Sequence, residues 1–448
     1  MSGSRLKYFL LNFSSEVRKR PKVLIVFLIV LGLIVWTTPS GKVLSLRERL
    51  VAVPCENDDS KHLIEDVCKL YERKEIIGDL CEPLCRKQSI QFSQCLNYKR
   101  GKHVIAVQCK DHCVPGKTVS AVLKMARLNG SPLAKHLAEA GKELLVKTNP
   151  KVDPNTVDPF EYFISSESLS ILTSDYLNDE YGYFARDDQD LLSVIWGEDY
   201  PEKFRGPHTN LVFARIYWSL LRQNEFRISR VFSEWEVFPN IYNFCGPLYM
   251  AEHFPPFKSL DALFPFLHSE FPAWSNRAKL AIQILELVQR MDTMEHPLHL
   301  CDTKSPHFGF TPSGQVRFID SDTVFADEAL SRIMSSQVCG SDAECVFYDC
   351  EGFCNIKTGK CLEMRTNNNL QVVCSKVFRG TTFASYGGLL STPPKSVAAK
   401  LTALVTECAT ESKQDISGIV TRKPSQDTLL KLQRYLLESL KEEEAGKS

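Results

Sequence analysis

The sequence has no excess of charge of either sign, no internal repeat and no paired zinc knuckles. Its 448 residues include 54 basic and 54 acidic ones, so the formal net charge is zero. This balance argues against a nucleic-acid binder, which needs surplus Lys and Arg to neutralise phosphates. The lack of a repeat of about 20–50 residues argues against solenoids and propellers. The lack of paired Cys-x2-Cys motifs weakens a zinc interpretation of the 16 cysteines that are present.

A long hydrophobic run lies near the N-terminus, from Val23 to Trp36, behind a strongly basic tail. With two further threonines it is short for a membrane span, and it suits a thin bilayer such as that of the endoplasmic reticulum (ER). The basic flank predicts a cytosolic N-terminus. We therefore predict a cytosolic tail over 1–22, a single-pass type II signal-anchor over 23–38 and a stem over 39–54. A cleaved signal peptide is the alternative.

Most of the cysteines fall in two clusters, over residues 55–113 and 339–408. Downstream of a membrane anchor, this density predicts two disulfide-stapled regions in an oxidising lumen. We assign residues 55–115 to a cysteine-rich region with many loops. The spacing does not determine which cysteines pair, and it leaves open whether Cys245 and Cys301, between the clusters, pair at all.

Zinc is the alternative for two short motifs in these clusters. Cys81 and Cys85, and likewise Cys350 and Cys354, are separated by three residues, a spacing that zinc ligands tolerate. No His follows either motif at the spacing of a zinc finger. The spacing therefore favours disulfides.

Apolar residues between and after the clusters follow strand and helix periods, which predicts a mixed fold. Strand patterns cover 118–124, 143–147, 237–246 and 247–252, and helix patterns cover 211–226, 276–291 and 428–441. Residues 148–210 are polar and irregular, and we interpret them as an insertion.

Two aspartates eighteen residues apart are the strongest functional signal. Asp302 lies in His-Leu-Cys-Asp-Thr-Lys, and Asp320 ends the run Val-Arg-Phe-Ile-Asp. Protein kinases place the Asp near the attacking hydroxyl and the Asp that holds Mg²⁺ at about this separation. We therefore predict that Asp302 is catalytic and that Lys304 stabilises the transferring phosphoryl group. Asp320, with Asp322 as an extra oxygen ligand, is predicted to bind the metal.

The segments that precede these aspartates follow the order of a kinase. Glu225 lies in a predicted helix, where kinases carry the glutamate that pairs with a strand lysine. That lysine, which would bind the nucleotide, is Lys147 or, as the alternative, Lys124. The run that ends at Glu252 resembles the strand leading into the hinge, so backbone groups there are predicted to face adenine.

The sequence also departs from the kinase pattern. His307 stands where kinases carry a metal-binding Asn, and imidazole is a poor ligand for Mg²⁺. Cys301 replaces the Arg before the catalytic Asp. No G-x-G-x-x-G precedes the strands, and no A-P-E closes an activation segment. These departures leave open whether the domain is active.

The motifs together resemble the divergent protein kinase domain 1 family, the cysteine-rich ER family with sequence similarity 69. The resemblance rests on Asn243-Phe-Cys-Gly-Pro-Leu-Tyr-Met250, on Leu300-Cys-Asp-Thr303 and on Ile319-Asp-Ser-Asp322. Its most specific part is Cys339-Gly-Ser-Asp-Ala-Glu-Cys-Val-Phe-Tyr-Asp-Cys350. It implies a type II ER membrane protein with a lumenal, disulfide-bonded, kinase-like domain.

We accordingly expect an α+β, bilobal protein-kinase-like fold with disulfide-rich flanking regions and an N-terminal transmembrane helix. The N-lobe is predicted over 116–252 with the insertion at about 148–210, and the C-lobe over 253–448 with the cysteine-rich segment 339–408. Several relatives carry an EF-hand-like insertion, but residues 165–210 lack D-x-[DN]-x-[DN]-G-x5-E, so calcium binding is not expected.

The expected function is phosphoryl transfer from ATP, with Mg or Mn, to a hydroxyl of a lumenal or secreted protein. The first alternative is an inactive pseudokinase that serves as a lumenal interaction scaffold. The second is a cysteine-rich receptor-like or adhesive ectodomain without any relation to kinases.

Overall fold

The computed structural model describes most of the chain after residue 56. The described residues are 57–97, 102–110, 118–126, 132–148, 150–151, 153, 166–181, 191–196, 207–255, 273–311, 314–379, 388–410 and 426–445. The predicted cytosolic tail, signal-anchor and stem, residues 1–54, lie outside them. None of the helices within these ranges combines the length and hydrophobicity that a membrane crossing requires.

A five-stranded antiparallel sheet forms the first part of the domain, with the strand order β1-β2-β3-β5-β4. The strands are β1 (Ile90–Asn97), β2 (Lys102–Lys110), β3 (Thr118–Ala126), β4 (Ile241–Cys245) and β5 (Leu248–Glu252). β3 is central, because Leu123 pairs with Ile105 on β2 and with Met250 on β5. All three side chains are buried. The predicted strand at 118–124 and the strand pair within 237–252 are thus confirmed.

The prediction of a loop-rich region over 55–115 was wrong. Its described part contains α1 (Asn57–Glu72), α2 (Cys81–Cys85) and the strands β1 and β2. The sheet therefore begins at residue 90 rather than after 116. In β2, Ile105, Val107 and Cys109 are fully buried, which is the alternation expected of a strand with one covered face. The many cysteines in this region made the alternating strand pattern hard to recognise in the sequence.

Helices pack beside the sheet over the next part of the chain. They are α3 (Leu133–Thr148), α4 (Ser166–Tyr181), α5 (Leu191–Trp196), α6 (Pro207–Leu221) and α7 (Asn224–Val231). The predicted strand at 143–147 was wrong, because it is the last part of helix α3. There the buried residues Leu137, Ala140, Leu144 and Leu145 recur at helical spacing. The helix predicted over 211–226 is interrupted after Leu221, and the region predicted to be irregular, 148–210, holds α4, α5 and the first turn of α6.

The second part of the domain is mostly helical and carries short hairpins. Its helices are α8 (Trp274–Asp292), α9 (Asp327–Ser335), α10 (Asn369–Val373), α11 (Lys395–Cys408) and α12 (Gln426–Ala445), with a π-helical stretch at Cys374–Phe378. Its strands are β6 (Leu298–Leu300), β7 (Phe308–Phe310), β8 (Val316–Phe318), β9 (Val324–Ala326), β10 (Val346–Phe347), β11 (Cys350–Glu351), β12 (Cys354–Asn355) and β13 (Lys360–Cys361).

Helix α8 is the central helix of this part, and its position confirms the helix predicted over 276–291. Leu287, Val288 and Met291 are fully buried on its inner face. Helix α12 packs on it, and Trp274 Nε1 donates a hydrogen bond to Ser439 Oγ at 3.0 Å. The helix predicted over 428–441 is therefore also confirmed.

Six disulfides are described, which confirms the prediction of an oxidised, disulfide-stapled domain. The pairs are Cys68–Cys85, Cys81–Cys245, Cys301–Cys350, Cys339–Cys354, Cys345–Cys361 and Cys374–Cys408. The zinc alternative was wrong, because every cysteine of the two candidate motifs pairs with a cysteine outside its own motif. The structure also decides the open question about Cys245 and Cys301, since each is disulfide-bonded.

Candidate functional site

A cleft of about 330 Å³ lies between the sheet and the loops that surround β7 and β8. Much of its lining is apolar, and Lys102, Lys124 and Asp320 form a charged end. The lining residues are Leu96, Asn97, Lys102, Val104, Val122, Lys124, Pro239, Glu252, His253, Phe254, Pro306, His307, Ile319 and Asp320. A mostly apolar cleft with a few convergent polar groups is the usual form of a small-molecule site.

An ion pair between Lys124 and Glu225 lies at the charged end of the cleft. Lys124 stands on the central strand β3, opposite Tyr249 of β5, and Glu225 stands in the first turn of α7. The Lys124 ammonium contacts Glu225 Oε1 and donates a hydrogen bond to the Ile319 carbonyl at 3.2 Å. Both side chains are more than nine-tenths buried. The structure thus brings Glu225 together with the alternative lysine of the sequence analysis.

The first choice for the strand lysine, Lys147, was wrong. Lys147 lies in the last turn of helix α3, and its ammonium is 5.6 Å from the centre of the Trp218 ring. It does not line the cleft. The run Glu-Leu-Leu-Val-Lys resembles a strand when it is taken alone. The apolar residues that precede it continue the same helical stripe, and this stripe determines the structure.

Lys102, which the sequence analysis did not consider, lies at the same end of the cleft. It is the first residue of β2, and its ammonium contacts Glu225 Oε2. It lies 2.8 Å from Asp320 Oδ1 and 3.2 Å from Asp322 Oδ2. Kinases place the phosphate-covering loop at the β1–β2 connection, so recognising these two strands would have made Lys102 a candidate.

The electrostatics of this cluster keep Lys102 charged. Burial acts to lower the pKa of Lys102, but the carboxylates of Glu225, Asp322 and Asp320 outweigh burial and raise this pKa well above its usual value. For Asp320, burial acts to raise the pKa, yet Lys102 and then His307 hold it below the usual value. Burial raises the pKa of Asp322. Lys102 therefore remains an ammonium at every physiological pH.

Asp302 follows strand β6 and lies close to two other predicted site residues. Lys304 Nζ is 2.9 Å from Asp302 Oδ1. His307 Nδ1 lies 2.9 Å from the Asp302 carbonyl oxygen, while its Nε2 lies 3.3 Å from Asp320 Oδ2. The imidazole therefore bridges the loop that carries Asp302 and the loop that carries Asp320.

The tip of the β10–β11 hairpin holds both sides of Asp302 in place. The Asp349 N–H donates to the Cys301 carbonyl at 2.6 Å, and the Thr303 N–H donates to Asp349 Oδ2 at 2.7 Å. The disulfide Cys301–Cys350 adds a covalent link at the same point. Kinases carry an Arg before the catalytic Asp, whereas here Cys301 precedes Asp302 and is fixed by its disulfide. The sequence alone did not reveal these contacts.

The buried Arg365 contacts strand β6, which leads into the loop that carries Asp302. Arg365 donates hydrogen bonds to the carbonyl of Leu300 at 3.3 Å and to Asn367 Oδ1 at 2.6 Å. Burial lowers its pKa to about 10, so it stays charged at neutral pH. Asn369 Oδ1 accepts from the Leu300 N–H at 2.8 Å. Strand β6 is therefore fixed by side chains as well as by its partner strand.

Glu252 lies at the end of β5, on the wall of the cleft, as the hinge prediction requires. Its backbone N–H, however, donates to the Asn240 carbonyl at 2.8 Å, and Asn240 Nδ2 donates to its carboxylate at 3.1 Å. The Glu252 N–H is thus used within the protein. A contact with adenine from this segment stays a prediction.

The three carboxylates near Lys102 have the right chemistry for a divalent cation, but the arrangement does not fit one. Glu225, Asp320 and Asp322 each offer an oxygen, all within 4.8 Å of one another, and Mg²⁺ and Mn²⁺ prefer oxygen ligands. The Lys102 ammonium already contacts all three, and His307 faces the second oxygen of Asp320. A protein cation therefore stands where the metal was predicted.

Two family models match this sequence. One, described as the protein-kinase domain of FAM69, matches residues 217–411. The other, described as the N-terminal cysteine-rich ER region of FAM69, matches residues 15–139. Glu225, Asp302 and Asp320 fall within the first match, and Lys102 and Lys124 fall within the second. The cleft is thus built from both matched regions.

Proposed function

The chain belongs to the FAM69 family, and we propose that its kinase-like domain is a divergent lumenal kinase of the early secretory pathway. It transfers the terminal phosphoryl group of ATP to a hydroxyl of a lumenal or secreted protein. The observation that carries this proposal is the buried pair of Lys124 and Glu225 at the end of the cleft. Protein kinases need such a pair to hold the nucleotide phosphates.

The two lysines at this end are suited to phosphate binding. Within the described residues, Lys124 donates to Glu225 and to the Ile319 carbonyl, and Lys102 donates to Glu225 and Asp320. An ammonium has three N–H donors, so Lys124 keeps one for a phosphate oxygen. The Lys102 ammonium, which also contacts Asp322, contributes its positive charge beside the phosphates. The apolar lining, including Val104 and Val122, accommodates the base.

Asp302 and Lys304 are the residues for the transfer step. Asp302 is partly exposed, with 24% of its side-chain surface accessible, so a substrate hydroxyl can reach it. Its carboxylate would orient this hydroxyl and accept its proton as the oxygen attacks the terminal phosphorus. The Lys304 ammonium lies beside it and would stabilise the charge on the phosphoryl oxygens.

The lumenal location rests on separate support. The N-terminal family model is described as an ER region, and the described domain contains six disulfides, which form in oxidising compartments. We keep the type II signal-anchor at 23–38 as part of the proposal. Protease protection of the domain in sealed microsomes, lost on adding detergent, is its direct test.

A pseudokinase scaffold is the second candidate function, and one observation favours it. Both oxygens of Asp320, the predicted metal ligand, are engaged by the protein, one by Lys102 and the other by His307. Kinases use this aspartate to hold Mg²⁺ on the phosphates. A domain that binds nucleotide without transferring its phosphoryl group would have this arrangement.

The test compares binding and transfer on the same oxidised protein. Binding of ATP is measured by thermal shift, and transfer by release of labelled phosphate and by labelling of a panel of lumenal proteins. We expect Lys124→Met to weaken binding about tenfold or more, and Asp302→Asn to abolish transfer while binding persists. Binding without transfer in the wild type would favour the scaffold. No binding under any condition would refute the proposed kinase.

A further inference from the structure

We propose that Lys102 is a phosphate-binding cation that replaces the divalent metal of kinases, so that nucleotide binding in this cleft needs no metal ion. The inference rests on the proposed function, since it concerns the same cleft. It assigns a ligand, the phosphate chain of a nucleotide, to a residue on β2 that the kinase sequence pattern does not include.

The first step is the position of the ammonium. Lys102 joins Glu225, Asp320 and Asp322, the three carboxylates that a metal would have to use. Its side chain is 13% exposed and lines the cleft, so the charge lies at the wall of the cleft rather than in bulk water. Lys102 thus connects Asp320 to the space for the phosphates, which is the task of the metal in kinases.

The second step is the penalty that a metal would meet. To reach the three carboxylates, it would have to displace the Lys102 ammonium from each of them. The displaced ammonium would then lie close to a doubly charged ion, and a buried charge without its partners is strongly unfavourable. His307 Nε2, 3.3 Å from Asp320 Oδ2, also restricts approach from the other side of that carboxylate.

The third step is the pairing of the two lysines. Glu225 shares one carboxylate oxygen with Lys102 and the other with Lys124, so the two ammonium groups lie on either side of one buried acid. Both lysines line the cleft. A phosphate chain that enters there meets two fixed ammonium groups beside the three carboxylates. Lys124 has an N–H left for a charge-assisted hydrogen bond, and Lys102 offsets the carboxylates that would otherwise repel the phosphates.

The experiment measures binding of ATP to the oxidised full-length protein by thermal shift and by competition with a fluorescent ATP analogue. Each titration is made in EDTA, in Mg²⁺ and in Mn²⁺. We expect wild-type affinity to change by less than about threefold between these conditions. In EDTA, Lys102→Met should weaken binding about tenfold or more, because the phosphates then face three carboxylates without the Lys102 charge that offsets them.

Lys102→Met should also reverse the metal dependence. Removal of the ammonium opens one oxygen each of Glu225, Asp320 and Asp322 to a divalent cation, so Mg²⁺ or Mn²⁺ should restore the lost affinity. Mn²⁺ alone, added without nucleotide and followed by its paramagnetic resonance spectrum, should bind this variant and not the wild type. Lys110→Met is the matched control, since Lys110 ends the same strand and is exposed. It should behave as the wild type does.

The possible failures separate the two proposals. Wild-type binding that requires a metal overturns the role of Lys102 and leaves the proposed kinase intact. Equal binding by Lys102→Met and wild type in EDTA also overturns it. No binding in any condition refutes the proposed function itself. If Lys102→Met does not fold, the wild type in EDTA and the charge-retaining Lys102→Arg variant, expected to bind without metal, still decide the question.

Discussion

Replacing Glu225 with Gln removes a negative charge that two buried lysines share, and it should destabilise the protein measurably. Glu225 contacts Lys124 through one oxygen and Lys102 through the other. The side chains of Lys124 and Glu225 are 7% and 5% exposed. After the substitution, Lys102 keeps Asp320 and Asp322, whereas Lys124 keeps only the Ile319 carbonyl among its partners in the described residues.

The expected loss follows from the burial of Lys124. Breaking a buried ion pair by removing one partner costs about 3–5 kcal/mol, since the other charge stays buried and unpaired. With an unfolding entropy of about 2.1 cal/mol/K per residue, a unit of residues 57–448 converts this loss to a fall in Tm of about 4–6 °C. Lys124→Met added to Glu225→Gln should recover much of it, because the unpaired ammonium is then absent.

The assay is thermal unfolding of the oxidised protein, followed by circular dichroism, for the wild type and the single and double variants. Glu234→Gln is the control, because Glu234 is an exposed acid just after α7. It should shift Tm by the equivalent of less than about 0.5 kcal/mol. A Tm of Glu225→Gln within about 1 °C of the wild type would refute the reasoning. So would a double variant less stable than Glu225→Gln alone.

Three further predictions test other parts of the structure. Lys124→Met should weaken ATP binding about tenfold or more, because a charged contact with phosphate is lost, while Lys147→Met should leave it unchanged; a thermal-shift titration decides. Replacing Cys301 and Cys350 by Ser opens a cross-link over 49 residues, which should reduce the unfolding free energy by about 4 kcal/mol, seen as a lower Tm. Burial and then the Lys124 charge lower the pKa of His253. The unfolded state therefore binds the proton first, and stability should fall as pH drops below about 6.5, measured as Tm against pH.

Each of these predictions has a control and a contradicting outcome. Equal effects of the two lysine substitutions on ATP binding would return Lys147 to consideration. Removing Cys339–Cys354, which spans only 15 residues, should cost about 3 kcal/mol, less than the loss of Cys301–Cys350, and the opposite order would contradict the entropic argument. His253→Asn should reduce the pH dependence of Tm, and the part that remains includes His136, whose pKa burial also lowers. The exposed His62 should not matter when replaced in the same way. An unchanged slope in His253→Asn would contradict its assignment.

Much of the fold could be predicted where apolar residues recur at one constant spacing through a whole helix or strand. The helices α8 and α12 and the strand pair β4–β5 lie where the apolar pattern placed them. Predictions failed where a short window was interpreted without its neighbours. The strand assigned to 143–147 is the end of α3, because the buried stripe that begins at Leu133 continues through it. The break after Leu221 separates α6 from α7, and the single helical pattern over 211–226 did not reveal it.

For the cysteines, the sequence pattern predicted that disulfides form, but the structure was needed to show which cysteines pair. Their number and clustering predicted an oxidised, disulfide-rich domain, and the six described bridges confirm it. Their partners could not be predicted, because pairing requires two Cα atoms to come within about 7 Å. Cys81 and Cys245 are 164 positions apart, and only the contact between α2 and β4 brings them together.

Local motifs were enough to indicate the family of the chain. The spacing of Asp302 and Asp320, the helical Glu225 and the motifs around Cys339 identified a kinase-like protein of the FAM69 family. These are local signals, since each depends on residues that are close together in the chain. A period or a motif of a few residues remains visible without any knowledge of the fold.

The lysines of the candidate site could be identified only from the folded chain. Lys102 and Asp320 are 218 positions apart, and Lys124 and Glu225 are 101 apart. Their meeting depends on the register of β2 against β3 and on the packing of α7 beside the sheet, neither of which any short stretch of sequence specifies. A lysine in a sequence is most often a solvated surface charge. Burial beside three carboxylates is what makes Lys102 a candidate for function, and burial is a property of the folded chain.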